Sequence, residues 1–109
     1  MLADTQVNRT GLVTRVRGNV DRTITSLTGS SQTLVPIPSS GVPRKRLVFK
    51  NGAANAALNL LGGTAAIGGA GCITLEPYEG LALYGEDCLN NAITVIGTVA
   101  NYFSCYEGF

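Results

Sequence analysis

The sequence predicts an all-β protein: an antiparallel β-sandwich of jelly-roll type behind an extended N-terminal arm. Three observations lead there. From residue 21 onward, short apolar runs alternate with a period of two and are cut by turn signals every 8–12 residues, a spacing typical of sandwiches and barrels. Residues 1–20 are different: they scatter Leu2, Val7, Leu12, Val13, Val16 and Val20 among Arg and Asn with no helical period. Charged residues make up 14% of the chain, against about 25% in ordinary domains. A surface so poor in charge on a small domain points to association.

The elements follow in order. Residues 1–20 are too sparse in apolar anchors to fold back on their own core, so they form the arm, ordered against a neighbour. Residues 21–109 form the sandwich domain. Its first strand is expected at 23–27, its second at 32–37, stopped by Pro36 and Pro38. Pro38-Ser39-Ser40-Gly41-Val42-Pro43 is a loop. Residues 44–50 are the clearest strand, with Arg46, Val48 and Lys50 on one face and Lys45, Leu47 and Phe49 on the other. Asn51-Gly52 is a turn. Residues 56–61 fit a strand or two turns of helix, and the glycines on either side favour the strand. Residues 62–71 hold five glycines and read as a flexible loop. Strands follow at 72–76, 81–84, 92–98 and 102–107, with a turn at Pro77-Tyr78-Glu79-Gly80 and a polar loop at 85–91.

The chain contains no histidine, which removes the Ser-His-Asp, Cys-His and His-metal arrangements. Glu86 and Asp87 are adjacent and would point apart in extended chain. The run from Gly62 to Gly71 lacks the Lys and Ser/Thr that close a phosphate loop, and a strand follows it where a dinucleotide fingerprint needs a helix. The expectation is a protein that is not an enzyme and uses no cofactor or metal. No run approaches the ~20 apolar residues of a transmembrane helix, and residues 1–10 lack the basic start and apolar run of a signal peptide.

Charge is distributed unevenly. All eight basic residues precede position 51, and five of the seven acidic ones follow it. Such a split suits nucleic acid, contact between neighbours, or solvated ends of one domain. Arg44-Lys45-Arg46 has no exposed aromatic beside it and no recognition helix, so an acidic protein partner fits it better than nucleic acid. The candidate partner contacts are Arg9, Arg15, Arg17, Arg44, Lys45 and Arg46.

Cys72, Cys88 and Cys105 are odd in number and match no zinc spacing. They read as buried thiols, as one internal bridge with a free thiol, or as bridges between subunits. Cys105 shares an alternation with Phe103 and is the expected core thiol. Cys88 falls in the polar loop and is the expected exposed one, a candidate for an intersubunit disulfide with Cys72 of a neighbour.

The succession Ser31-Gln32-Thr33-Leu34-Val35-Pro36, then Arg44-Lys45-Arg46-Leu47-Val48-Phe49-Lys50-Asn51, then Asn59-Leu60-Leu61-Gly62-Gly63-Thr64-Ala65-Ala66 resembles small virion proteins of tailed bacteriophages. The similarity continues through a glycine-rich loop, Cys72-Ile73-Thr74-Leu75-Glu76-Pro77, Asn91-Ala92-Ile93-Thr94-Val95-Ile96-Gly97-Thr98 and Tyr106-Glu107-Gly108, so it spans about residues 31–108. The three cysteines and the basic arm depart from that pattern. The resemblance implies localisation in the virion and a capsid decoration (cement) role that stabilises neighbouring subunits. A neck, collar or tail-fibre accessory is the alternative, with other virion proteins and further copies of the chain as partners. A second class of function is a carbohydrate- or receptor-binding module at a fibre tip, using Tyr78, Tyr84, Tyr102 and Tyr106.

Overall fold

The computed structural model describes residues 5–7, 13–15, 18–38 and 42–109, the first two stretches by their backbone. It is all-β. Strands β1 (Thr5–Val7) and β2 (Val13–Arg15) pair as an antiparallel hairpin within the stretch expected to be an extended arm. The other eight strands are β3 (Asn19–Asp21), β4 (Gln32–Val35), β5 (Arg46–Asn51), β6 (Ala56–Asn59), β7 (Cys72–Leu75), β8 (Gly80–Tyr84), β9 (Ile93–Gly97) and β10 (Phe103–Gly108). They form two four-stranded sheets, ordered β3-β10-β5-β8 and β4-β9-β6-β7. Every pairing is antiparallel. The β3 strand straddles the expected boundary between arm and domain at residue 20.

Period-two alternation sends one face of each sheet inward. In β5 it buries Leu47, Phe49 and Asn51, and in β10 it buries Phe103, Cys105 and Glu107. Opposed residues of an antiparallel pair share a face, so Cys105, Phe49 and Leu81 form one inward row across the first sheet and Val95, Leu58 and Ile73 one across the second. The two inner faces close on a single cluster that draws on both sheets, with Phe49 and Phe103 tilted against each other, centroids 6.5 Å apart. Gly97 lies in the inward row with Ala56. A Cβ there would stand 2.7 Å from Cδ1 of Leu27, so its missing side chain is the space that Leu27 fills.

Two elements differ from expectation. The first sandwich strand is at 19–21, earlier than the expected 23–27. The chain still follows β10 as far as Ile24, whose N–H and C=O both bond Phe103, but between them Thr23 Oγ1 accepts the Cys105 N–H at 3.1 Å and interrupts the regular ladder. The glycine-rich 62–71 segment, expected to be a free loop, is tethered over the outer face of the second sheet. Ala65 N–H donates to Ser31 Oγ at 2.9 Å, Thr94 Oγ1 donates to Gly63 O at 2.6 Å, and Asn59 Nδ2 donates to Thr64 O at 3.2 Å. On the same face Ala57, outward-facing by the alternation of β6, is fully buried.

Asn51 links the sheets at one end. Its buried Nδ2 faces the carbonyls of Ala54, Leu75 and Glu76 at 2.7–3.2 Å, and its Oδ1 accepts the Gly52 N–H. Asn51→Ala should lower stability by about 2–3 kcal/mol, because it leaves buried polar groups without partners. Urea denaturation followed by circular dichroism measures it; a loss under about 0.5 kcal/mol would mean that water replaces the clamp.

Candidate interaction surface

Three charged residues, Arg22, Arg44 and Glu107, meet at one end of the sandwich. Glu107 is the inward residue of β10 opposite Leu47, and its carboxylate is fully buried. Arg44 Nε donates to one oxygen at 2.9 Å and Arg22 Nε to the other at 2.8 Å. The Arg44 side chain is also fully buried. Its Nη1 donates to the carbonyls of Leu89 and Asn91 at 2.6 and 2.8 Å, and its Nη2 to the Pro36 carbonyl. A charge taken out of water needs this degree of satisfaction to persist.

Arg44 is therefore not a partner contact, as the basic cluster had suggested. Glu107 belongs to the acidic half of the chain and Arg22 and Arg44 to the basic half, so part of the charge asymmetry is neutralised within one molecule. Of the other expected contacts, Arg46 is half-buried on the outward face of β5 and Lys45 is half-buried just before that strand. Arg9 and Arg17 lie outside the described residues, and Arg15 is described only by its β2 backbone.

The two outer faces of the sandwich are unlike. The second sheet wears the 62–71 segment. On the first, the register places Tyr106, Val48 and Ala82 in one row with Asp21 at its end, Arg46 beside Tyr84 in a second, and Ser104, Lys50 and Gly80 in a third. Tyr84 is 59% exposed and Tyr106 48%. Asn19, Arg46, Val48 and Tyr106 line a shallow depression there, with Arg46 Nη2 donating to Asn19 Oδ1. Small residues make the floor, two tyrosines rise from it, and Arg46 and Lys50 supply positive charge. Aromatic and arginine side chains of this kind are the usual anchors of protein contacts. Alternation in β5 and β10 was legible in the sequence; the assembly of this face required the strand order.

The thiols are separate. Cys105 is fully buried, as expected. Cys88 is not the exposed thiol: it is 8% exposed, packs in the core cluster and directs its Sγ at the Leu83 carbonyl at 3.2 Å. The 3-10 turn at Gly85–Asp87 turns its side chain inward, despite its polar sequence neighbours. Cys72 is half-exposed, with its Sγ 3.7 Å from the carbonyls of Thr64 and Ala70. Burial pushes the Cys88 thiol up, and burial with the nearby Glu107 carboxylate pushes Cys105 up to about 12. Thiol exchange needs the thiolate and access to it, so the core pair is poorly suited to a bridge. Among the described residues all three cysteines are free, and no three Cys, Asp or Glu side chains converge as metal ligands.

No protein-family model matches the chain, and neither a curated protein nor a solved structure matches it.

The ion triad predicts unequal mutational costs. Glu107→Gln leaves Arg44 charged and buried without its counter-ion and should cost about 3–5 kcal/mol. Arg22→Ala, at the part-exposed member, should cost less, about 1–3 kcal/mol, because one carboxylate oxygen loses its donor while Arg44 keeps the other. Equal losses on denaturation would contradict the burial asymmetry. The Cys105 thiol gives a second expectation. Between its ordinary 9.0 and about 12 it ionises in the unfolded chain but stays protonated in the folded one. The folded state then holds more protons, and stability falls as pH rises through that window. Stability measured from pH 8 to about 11 should fall less steeply in Cys105→Ala than in the unmodified chain; parallel slopes would rule the thiol out.

Proposed function

We propose that the chain is a structural virion protein of a tailed bacteriophage, most simply a capsid decoration protein, that attaches through the bare outer face of the β3-β10-β5-β8 sheet. The observation that carries this reading is the contrast between the two outer faces. Among the described residues, one carries the chain's own 62–71 segment, and the other exposes Tyr84, Tyr106 and Lys50 around the half-buried Val48 and Arg46. An apolar patch with a charged rim is the composition of a docking face. The sequence resemblance to small virion proteins supplies the biological setting.

We read the finer topology as a jelly roll. The nested pairs β3–β10, β4–β9, β5–β8 and β6–β7 support that reading, since they are what a long hairpin makes when it is rolled into two sheets. Every consecutive connection from β3 to β10 except β6–β7 crosses between the sheets. Jelly rolls recur in capsid and lectin domains alike. A carbohydrate-binding module at a fibre tip is therefore the second reading, favoured by two exposed tyrosines on one face.

Val48→Asp, Tyr106→Ala and the Arg46→Glu/Lys50→Glu double variant change only outward residues and should leave the fold intact. Each should weaken co-sedimentation with particles of the encoding phage by about 10-fold or more, as loss of an interface anchor does. Added salt should reproduce the effect of the charge reversal. Unchanged attachment in all three would exclude this face, and glycan binding without particle attachment would select the second reading.

A further inference from the structure

In an antiparallel ladder, successive residues of a strand direct their main-chain groups alternately to the two sides. Gly85 N–H bonds Lys45 O and Asn51 N–H bonds Glu79 O, both at 2.9 Å. Between these fixed points the register pairs Leu83 with Leu47 and Leu81 with Phe49. The N–H and C=O groups of Leu81 and Leu83 therefore face β5, and those of Gly80, Ala82 and Tyr84 face away from it. β8 is the last strand of its sheet, and no described residue bonds those groups.

The other sheet edges are guarded in the ways natural proteins use. β3 is three residues long and carries Asp21, with Arg22 just after it. β4 is bulged and runs into Pro36. On β7, Gly69 O takes the Cys72 N–H at 3.2 Å and Gly68 N–H donates to Thr74 Oγ1 at 3.2 Å, so the 62–71 segment lies along that edge. β8 has none of these devices. Gly80-Leu81-Ala82-Leu83-Tyr84 is uncharged, lacks proline and keeps an unbroken register over five pairs.

We infer that β8 is a dimerisation edge, pairing antiparallel with β8 of a second copy about a two-fold axis at Ala82 to join two four-stranded sheets into one. The occupant follows from the strand's complementarity to itself. With Ala82 opposite Ala82, Leu81 of one copy stands opposite Leu83 of the other, and Gly80 opposite Tyr84. The three outward-directed residues of each strand then form hydrogen-bonded pairs, about six main-chain bonds in all. Leu81 and Leu83, half-buried at an open edge, are covered. The Tyr84 ring lies across the bare backbone at Gly80, an arrangement that compensates glycine in a sheet. A two-residue slip either way replaces these Gly–Tyr pairs with Tyr84 against Tyr78 or Gly80 against Glu86, so the register is specified. This edge shares Ala82 and Tyr84 with the proposed docking face, but Val48, Arg46 and Lys50 lie on β5 and Tyr106 on β10, so the variants that test the face leave β8 unchanged and either proposal can fail without the other.

The test is sedimentation of the full chain from about 1 to 100 µM, a range that reveals micromolar association, with amide exchange of the same samples. The unmodified chain should be dimeric at the upper end, with protection of the Gly80, Ala82 and Tyr84 amides that rises with concentration. Ala82→Pro removes an N–H the monomer does not use, and Ala82→Lys sets like charges face to face on the axis. Both should remain folded by circular dichroism and sediment as monomers, at least 10-fold weaker in association. If Ala82→Pro unfolds the chain, the exposed Ala82→Lys decides alone. A monomeric unmodified chain at 100 µM overturns the inference. So does a dimer that persists in the folded variants, or protection independent of concentration, which would assign the edge to another part of the same chain.

Discussion

A single carboxylate organises one end of this protein. Glu107 is carried inward by the alternation of β10, where an apolar residue would be the simple choice, and it is tolerated only because Arg44 and Arg22 meet both of its oxygens. Arg44 in turn holds the carbonyl of Pro36, at the exit of β4, and those of Leu89 and Asn91, in the connection to β9. One guanidinium thus fastens connections from both sheets to the last strand. Apolar residues could fill the same volume at similar or better stability. What they could not do is require three separate loops to arrive at defined positions.

That restraint matters because the sandwich is small and its two outer faces are built differently. The outer face of the second sheet carries a segment rich in glycine, tethered to it by hydrogen bonds. The side chains that tether it, Ser31, Asn59 and Thr94, come from β6 and β9 and from the residue before β4. Among the described residues the outer face of the first sheet has no such cover, and its tyrosines stand exposed with Arg46 held against Asn19 between them. Among the described residues, then, one face is completed by the chain itself and the other is not.

The sequence made the all-β class and most strands legible, because alternation such as Leu47, Val48, Phe49 and Lys50 leaves a plain record of which side is buried. It also showed Phe103 and Cys105 on a core face. It could not show the burial of Arg44 or Cys88. Both sit in polar local sequence. The arginine is drawn inward by Glu107, 63 residues further on, and the thiol by the 3-10 turn before it and by the core cluster it joins. The glycine run misled for a related reason, since its order comes from side chains on other strands. The first strand was misplaced because Thr23-Ile24-Thr25 has strand composition, while the Thr23 hydroxyl takes a main-chain partner away from the ladder.

The order of strands also has a consequence for how the chain is made. β10 lies at the centre of its sheet, between β3 and β5, and Phe109 at the very end still bonds Gly18. β9 is likewise interior to the second sheet. β3 and β4 therefore wait for β10 and β9, and within the two four-stranded sheets only β6–β7 and then β5–β8 can pair before β9 is made. Contacts so distant along the chain make folding slow relative to helical domains. Until β9 and β10 have emerged the apolar faces have no complete sheet to join, and that interval, when unpaired strands of many nascent copies are near one another, is when the protein is most open to aggregation or to capture by a chaperone.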